Sequence, residues 1–330
     1  YVDNKYNALP EACSNIKKAI NNVSNHNIKK ASITATVGCA AYPNDGTTFD
    51  ILFKKIEVAL YRGKRKGRNC FIIYDKNKCV IGRDNRLSSP ALYEALKNGL
   101  IDSGINVICY GEITTPMHYY TRYVENTFGV MVTASHNPKE DNGFKFSFDK
   151  YANARGDMIE DFKDFTFKGD FYKGKGIVVN KDIKNDYLSY LKDNINMGKK
   201  KIKAVFDMGN GVTATIIKDV IKEFPNIEPI YICDESDGSF PNHHPDPAVE
   251  ENMAMLKEKV LETNADIGIA FDGDGDRLGI IDEHGKFIMA DKYLIVAMKS
   301  MIKEVSNKTF LCDVKCSKSL IDEIEKDGGH

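Results

Sequence analysis

The sequence predicts an α/β protein built from successive domains with mixed, largely parallel sheets. Short runs of β-branched and other apolar residues alternate with longer segments in which apolar residues recur at helical spacing. Such alternation is typical of strands joined by crossover helices. The chain has 330 residues, and this length favours two or three domains of about 100 to 150 residues each.

The composition is that of an ordinary folded protein and gives no sign of a nucleic-acid or membrane partner. Hydrophobic residues make up 42% and charged residues 28% of the chain, which is typical of a folded globular protein. The net charge of −1 at pH 7 favours neither nucleic acid nor an anionic membrane as a partner. The basic residues between Arg62 and Arg68 are interpreted as a solvated helix end.

The cysteines and the first residues favour a cytoplasmic protein. The eight cysteines include no Cys-x-x-Cys pair, so reduced thiols are expected. No apolar run reaches the roughly 20 residues that span a bilayer, and residues 1–5 have no signal-peptide character. Because the first residue is Tyr1, we expect the natural start of the protein to lie upstream. The oligomeric state is left open.

The amino-terminal part is predicted to hold two helices and two strands. Helices are expected at residues 11–21 and 48–64, and strands at residues 31–41 and 70–74. The polar residues 75–78 are interpreted as the first domain junction.

Strands and helices alternate regularly in the rest of the chain. A helix is predicted at residues 89–102, and strands are predicted at residues 80–81, 106–110, 128–133, 202–207, 267–271 and 310–312. Three of these strands lead into polar loops, which begin at Thr133, Asp272 and Asp313. Because ligands of open α/β sheets bind beyond the carboxyl ends of strands, all three loops are candidate site loops.

The loop Asp272–Arg277 carries the strongest chemical signal, since it reads Asp-Gly-Asp-Gly-Asp-Arg. Its carboxylates repel one another unless a cation lies among them, and its glycines permit a backbone that wraps around that cation. The spacing to Glu283 also fits an EF-hand calcium loop, but the sixth position is not glycine and a strand precedes the loop. A hard divalent cation is favoured over an EF-hand or a plain acidic turn. The predicted metal ligands are Asp272, Asp274 and Asp276.

The loop after the predicted strand at residues 128–133 offers a nucleophile. It contains Thr-Ala-Ser-His-Asn-Pro, and Asn-Gly-Phe-Lys follows a few residues later. Ser135 lies beside His136 and within reach of Lys145, so it could accept and return a phosphoryl group. The same residues also fit an ordinary turn, because Asn-Pro and Asn-Gly are common turn formers.

Two further pairs do not predict a zinc site. The adjacent residues His243 and His244 point their side chains in different directions. Cys312 and Cys316 lack the second pair of ligands that a structural zinc site needs.

Taken together, the two loops resemble those of the α-D-phosphohexomutase family, the phosphomannomutases and phosphoglucomutases. Thr133–Pro138 with Asn142–Lys145 resembles the phosphoserine loop of that family, and Asp272–Arg277 resembles its magnesium loop. The resemblance implies three-layer α/β domains from about residue 80 to the end. Further matching segments are Gly82–Pro90, Phe240–Pro247 and Asp313–Ser317.

The resemblance also implies roles for individual residues. Ser135 would carry the phosphoryl group and complete the metal shell of the three aspartates. Lys145 and Arg277 would neutralise and position the phosphate. His136 would assist proton transfer, and Lys315 would face the sugar. The implied cofactors are Mg²⁺ and a hexose 1,6-bisphosphate, and the implied partner is a hexose phosphate whose phosphoryl group moves between the 1- and 6-positions.

Residues 1 to about 76 resemble the carboxyl-terminal half of a GGDEF domain, the diguanylate cyclase module. Ala31–Pro43 resembles its late strand, and Ala59–Asn69 resembles its closing helix and turn. The signature turn and the metal-binding acids of that module are missing from the sequence, so no cyclase activity is expected. An unrelated small α/β cap is the alternative.

These resemblances predict four segments. They are a partial GGDEF-like module at 1–78, domain I without its first strand at 79–182, domain II with the metal loop at 183–286, and the start of domain III at 287–330. The family's Tyr-Asp-Ile-Arg-Gly opening and its Gly-Glu-x-Ser-Gly-His sugar loop are not in the sequence, nor is its phosphate-binding fourth domain. The prediction is therefore a truncated phosphohexomutase. The alternatives are a non-catalytic relic that binds Mg²⁺ or sugar phosphate, and cyclic-dinucleotide signalling through the amino-terminal part.

Overall fold

A computed structural model of the chain forms two compact units, Tyr1–Lys78 and Cys79–His330. The structure describes residues 78–148, 152–169, 171 and 173–330, together with residues 15, 16, 18, 19, 36–40, 48, 49, 52, 53, 56 and 71–73.

Among its described residues, the first unit contains two short parallel strands, β1 (Val37–Cys39) and β2 (Phe71–Ile73). Both lie within predicted strands. Helical conformation is present at residues 15, 16, 18, 19, 49, 52, 53 and 56, within the two predicted helices. The basic residues 62–68 and the GGDEF-like segment Ala59–Asn69 lie outside the described residues.

The second unit begins with a five-stranded sheet in the order β6-β5-β3-β4-β7. β3 and β4 each have a parallel partner, β5 and β7 respectively, whereas β6 runs antiparallel to β5. The strands are β3 (Lys78–Arg83), β4 (Asn106–Glu112), β5 (Phe128–Val132), β6 (Phe144–Ser147) and β7 (Val178–Asn180). The helices are α1 (Ser89–Asp102), α2 (Thr115–Glu125), α3 (Gly156–Lys168) and α4 (Lys184–Asn194).

Both faces of this sheet are buried. Val80 of β3 packs with Met117 of α2 on one face, while Cys79 and Ile81 pack with Tyr93 of α1 on the other. Successive side chains of a strand point to opposite faces, so the nearly continuous apolar runs of the central strands fill two cores. The sheet therefore lies between two layers of helices.

A second five-stranded sheet follows in the order β12-β11-β10-β8-β9. β8 lies between β9 and β10 and is parallel to both, and the hairpin strands β11 and β12 are antiparallel. The strands are β8 (Ile202–Asp207), β9 (Ile227–Ile232), β10 (Ile267–Phe271), β11 (Leu278–Asp282) and β12 (Phe287–Ile288). Its helices are α5 (Ile217–Lys222) and α6 (Ala254–Thr263), with 3₁₀ turns at Val212–Thr215 and Glu250–Met253.

The second sheet is also covered on both faces. Leu256 of α6 packs against Val205 of β8 on one face, and Ile221 of α5 packs against Phe206 on the other. The last two helices, α7 (Ala290–Met301) and α8 (Lys318–Lys326), share a separate apolar cluster. The predicted α/β fold is confirmed.

The strand predicted at residues 310–312 is wrong. These residues are irregular, and the Leu311 side chain is 100% exposed. A strand requires a neighbouring strand to pair its backbone groups. Here the amide of Phe310 donates to the carbonyl of His330 at 2.8 Å, and no strand of the described residues lies alongside the segment.

No helix among the residues that the structure describes is long and apolar enough to span a bilayer. Among the described cysteines, Cys79, Cys109, Cys233, Cys312 and Cys316 are free thiols.

Close packing of the first sheet predicts that Gly129→Ala is destabilising. A Cβ atom at this position would lie 2.6 Å from Val80 Cγ2 and 2.8 Å from His118 Cε1. We expect a loss of about 1–3 kcal/mol in the free energy of unfolding, measured by urea denaturation. Gly99→Ala is the control, because a Cβ atom there has open space and the position is helical, so it should stabilise by about 0.5–1 kcal/mol. Equal effects of the two substitutions would contradict the packing.

Candidate active site

Two loops from different sheets meet at the carboxyl ends of their strands. β5 leads into Ser135, and β10 leads into Asp272. Gly273 permits the close approach, since a Cβ atom there would lie 2.6 Å from the carbonyl oxygen of Ser135. A side chain at position 273 would therefore push the two loops apart.

Ser135 is held in an uncommon backbone conformation by the loop around it. Its φ of 56° lies in the left-handed region, and its side chain is buried. The backbone amide donates to Thr133 Oγ1 at 2.8 Å. The Ser135 hydroxyl donates to Asp272 Oδ2 at 2.6 Å, which is at the short end of the range for O–H···O hydrogen bonds.

The acidic triplet forms a compact carboxylate cluster. Asp272, Asp274 and Asp276 each offer an oxygen atom, and these atoms all lie within 4.8 Å of one another. The backbone amides of Asp276 and Arg277 each donate to Asp272 Oδ1 at 3.0 Å. The turn itself therefore fixes the orientation of Asp272.

Asp274 is fully buried and is supported by the first sheet. Its Oδ2 atom accepts hydrogen bonds from Thr115 at 2.8 Å, from Thr133 at 3.1 Å and from Lys145 at 2.7 Å. Thr115 is available because α2 begins there, where the Thr114 hydroxyl accepts from the amide of Met117 and caps the helix. Asp274 Oδ1 is buried and has no hydrogen-bond partner.

The pKa values of the two buried aspartates, Asp272 and Asp274, are shifted in opposite directions. Burial and the charge of Asp274 raise the pKa of Asp272. Burial also opposes ionisation of Asp274, but the charge of Lys145 and hydrogen bonds from Lys145, Thr115 and Thr133 hold its pKa below the usual value. These interactions favour Asp274 as the anion, whereas burial and the charges of Asp274 and Asp276 disfavour ionisation of Asp272.

The structure brings Lys145 into the cluster. Its ammonium group donates to Asp274 Oδ2 and to Asp276 Oδ2, each at 2.7 Å. Burial disfavours the ammonium, but these two carboxylates raise the pKa of Lys145 above its usual value. Lys145 therefore stays charged.

Of the other predicted site residues, His136 lies near the serine, Arg277 contacts the acidic cluster through its backbone, and Lys315 lies in a separate exposed loop. His136 Nδ1 lies 3.5 Å from Ser135 Oγ, and burial together with the charge of Arg277 lowers the pKa of His136. Arg277 is exposed and contacts the cluster through its backbone amide. Lys315 lies in an exposed loop, where its amide donates to Asp313 Oδ1. The structure does not place Lys315 among the hydrogen-bond partners of Ser135 or of the described acidic triplet.

Arg86 supports the serine loop, and the sequence had given it no role. It is completely buried, and its Nη2 atom donates to the carbonyl oxygens of Ser135 and Asn137, both at 2.8 Å. Its Nη1 atom donates to the carbonyls of Pro138 at 2.5 Å and Asp141 at 3.0 Å. One guanidinium thus fixes four backbone carbonyls, which a planar group with five donors is suited to do.

The carboxylate set fits a hard divalent cation. Three carboxylates face one ammonium group, and the unpartnered Oδ1 atom of Asp274 is available as a further ligand. Carboxylate oxygens are the donors that Mg²⁺ and Ca²⁺ prefer. The cluster therefore has the all-oxygen ligand set of an acidic metal site.

The Arg86 contacts predict that Arg86→Lys is strongly destabilising. A lysine ammonium cannot satisfy the four carbonyls, so we expect a loss of about 2–3 kcal/mol in the free energy of unfolding. Urea denaturation measures it, and hydrogen exchange should show faster opening of residues 135–141. The control Arg155→Lys alters a side chain that is 80% exposed and should change stability by less than about 0.5 kcal/mol. Similar losses in both variants would rule out the proposed support.

Comparison with known proteins gives matches in the same regions. Residues 65–173 match phosphoglucomutase/phosphomannomutase, alpha/beta/alpha domain I, and residues 185–285 match domain II of the same family. Residues 2–70 match the diguanylate cyclase GGDEF domain.

The chain is also similar to curated proteins and to a solved structure. It is 41% identical over 256 residues to phosphomannomutase/phosphoglucomutase of Pseudomonas aeruginosa, covering 76% of this chain and 54% of that protein. It is 38% identical over 292 residues to the protein of the same description from Pseudomonas syringae pv. tomato, covering 88% of this chain and 61% of the relative. A phosphoglucomutase/phosphomannomutase family protein from Burkholderia thailandensis superposes with a TM-score of 0.72 at 31% identity, covering 81% of this chain and 58% of that one.

The chain spans between 54% and 61% of the length of these two curated relatives. Its acidic triplet, its serine loop and all strands of its two sheets except β7 and β12 fall within the matched residues. The chain therefore belongs to the phosphoglucomutase/phosphomannomutase family.

Proposed function

We propose that this chain carries the phosphoryl-transfer centre of a phosphohexomutase, with Ser135 as the residue that accepts and returns the phosphoryl group. The observation that supports this most strongly is the 2.6 Å contact between Ser135 Oγ and Asp272 Oδ2 in a buried carboxylate cluster. A serine that only capped a turn would not need an acidic partner 137 positions away in the sequence.

The proposed step exchanges one P–O bond for another. A hydroxyl oxygen of the hexose phosphate attacks the phosphoryl group on Ser135, the bond to Oγ breaks, and the bond to the sugar oxygen forms. The sugar hydroxyl loses its proton, for which neutral His136 is the proposed acceptor because its pKa is lowered. The departing Ser135 oxygen takes up a proton from the same imidazole, whose Nδ1 atom lies 3.5 Å from Oγ. The reverse transfer, from the other end of a hexose 1,6-bisphosphate, restores the phosphoserine.

Charge neutralisation is the remaining requirement of this chemistry. Asp272, Asp274 and Asp276 would hold Mg²⁺, which would supply positive charge beside the phosphoryl oxygens. Lys145 adds a positive charge from the protein, since its ammonium group contacts Asp274 and Asp276. We assign Arg277 to the phosphate, because it is exposed next to the cluster.

The substrate class is proposed from the family. A hexose phosphate is the proposed substrate, Lys315 is the proposed sugar contact, and the cytoplasm is the proposed location. Because the chain spans little more than half of its relatives, the complete interconversion of 1- and 6-phosphates is also part of the proposal. The acceptance of a phosphoryl group by Ser135 is the part that depends most directly on residues present here.

We predict that Ser135→Ala abolishes phosphorylation of the protein. The wild-type chain, incubated with glucose 1,6-bisphosphate and Mg²⁺, should gain one phosphoryl group on the peptide that contains Ser135, as measured by peptide mass spectrometry. Ser88→Ala is the control, since Ser88 is an exposed serine in the turn before α1 and should leave the modification unchanged. An unmodified wild-type chain that nevertheless binds Mg²⁺ would contradict the catalytic proposal and favour the non-catalytic alternative.

Metal binding gives a second prediction. Asp274→Asn removes a charged ligand and should abolish measurable Mg²⁺ binding in isothermal titration calorimetry. Thr115→Val removes a hydrogen bond that orients Asp274 and should weaken Mg²⁺ binding by about 10- to 100-fold. The matched control is Thr121→Val, a buried threonine of the same helix whose hydroxyl donates to the carbonyl of His118. Mg²⁺ binding that persists in Asp274→Asn would show that the acidic triplet is not the metal site, and wild-type affinity in Thr115→Val would contradict the orienting role of Thr115.

A further inference from the structure

A second group of metal-ligating side chains lies in the second sheet. Asp207 is the last residue of β8, Cys233 follows β9, and His243 lies on the loop Phe240–Pro247. One ligand atom from each lies within 4.8 Å of the other two. These three side chains are separate from the acidic triplet and take no part in the proposed phosphoryl transfer.

The His243 ring is oriented as a ligand by its surroundings. Its Nδ1 atom lies 3.0 Å from the carbonyl oxygen of His244, and a carbonyl only accepts, so this nitrogen carries a proton. Its Nε2 atom lies 3.0 Å from Asp207 Oδ2 and 3.2 Å from Asp207 Oδ1. Histidine ligands of metals commonly donate their second ring N–H to a backbone carbonyl in this way.

The separation between His243 and Asp207 is close to that of two ligands of a tetrahedral ion. With zinc bonds of about 2.0–2.1 Å to nitrogen and oxygen, two ligand atoms of a tetrahedron lie about 3.3 Å apart. The measured separations between His243 Nε2 and the Asp207 oxygens are therefore slightly shorter than required, and a small opening of the pair admits the ion.

The chemistry of the donors selects the type of ion. Thiolate, imidazole and carboxylate are all ligands of Zn²⁺, whereas Mg²⁺ and Ca²⁺ avoid sulfur. Asp207 is completely buried, but the His243 side chain is 14% exposed and Cys233 is half-buried, so an ion can reach the group from solvent. Three protein ligands leave the fourth position of a tetrahedral ion open.

We propose that Asp207, Cys233 and His243 form a binding site for Zn²⁺ or a similar thiophilic divalent ion, independent of the proposed Mg²⁺ site. Binding displaces the proton of the Cys233 thiol and the proton that His243 Nε2 shares with Asp207. The sequence pair His243 and His244 is not the site, because the structure combines His243 with two residues distant in sequence.

An ion pair without a metal is the competing explanation. Burial disfavours the imidazolium, but hydrogen bonds to Asp207 and Cys233 raise the pKa of His243 to about 10, so a proton competes with the ion at Nε2. An ion pair between Asp207 and His243 explains their contact without a metal. In that case no ion would contact the sulfur of Cys233. The thiolate is therefore the group that distinguishes the two explanations.

The experiment uses Co²⁺ as a spectroscopic substitute for Zn²⁺. The full chain is saturated with Mg²⁺, which fills the acidic triplet, and is then titrated with Co²⁺. We expect a thiolate-to-cobalt charge-transfer band in the near-ultraviolet that saturates at one equivalent and disappears when Zn²⁺ is added. Zn²⁺ should also raise the melting temperature of the wild-type chain under the same conditions.

Variants decide which thiol is responsible. Cys233→Ser should lose the band and the thermal shift, whereas Cys312→Ser, which alters an exposed cysteine close to Cys316, should retain both. Asp274→Asn should also retain the band, because it alters the acidic triplet alone. Absence of the band in the wild-type chain, its persistence in Cys233→Ser, or its loss in Cys312→Ser would each overturn the proposal. A Cys233→Ser chain that fails to fold leaves the wild-type band and the Cys312→Ser result to decide.

Discussion

The candidate site depends on one constraint, the mutual repulsion of Asp272, Asp274 and Asp276. Their oxygens lie within 4.8 Å of one another, and one lysine ammonium opposes them. Because Asp272 and Asp274 are buried, such an excess of negative charge is costly unless donors and cations surround it. The first sheet supplies Thr115, Thr133 and Lys145 for this purpose, so the second sheet's metal loop depends on contacts with the first.

The contact between the two sheets is maintained by polar groups as well as by the cluster itself. Asn85 donates to the carbonyl of Asn210 at 2.7 Å and to Ser236 Oγ at 2.9 Å. Next to it, Arg86 holds the serine loop and lies 5.3 Å from the ring centre of Phe240, on the loop that also carries His243. These contacts all involve the short segment 85–86, which therefore joins the serine loop to the second sheet.

Sequence reasoning succeeded where the signal was local. α1, β8 and β10 have the predicted bounds, because helical periodicity and buried apolar runs are recorded in consecutive residues. The short strands β6, β7, β9, β11 and β12 were not predicted, since most of them are half-buried and depend on a neighbouring strand. The strand predicted at 310–312 failed for the same reason, because its apolar residues find no such neighbour among the described residues. The motifs identified Ser135 and the aspartates, but the support from Thr115 and Arg86 joins residues far apart in sequence and required the fold.

The most direct measurement is a crystal structure of the Ser135-phosphorylated or unmodified chain grown with Mn²⁺, which replaces Mg²⁺ and gives an anomalous signal. If the serine and the acidic triplet share one ion, a single strong peak should lie among Asp272, Asp274 and Asp276. The oxygen on residue 135, either its hydroxyl or a phosphoryl oxygen, should lie at bonding distance from that peak, about 2.1 Å. A peak that the aspartates bind while residue 135 stays out of reach would contradict the assignment of Ser135 to the phosphoryl-transfer centre.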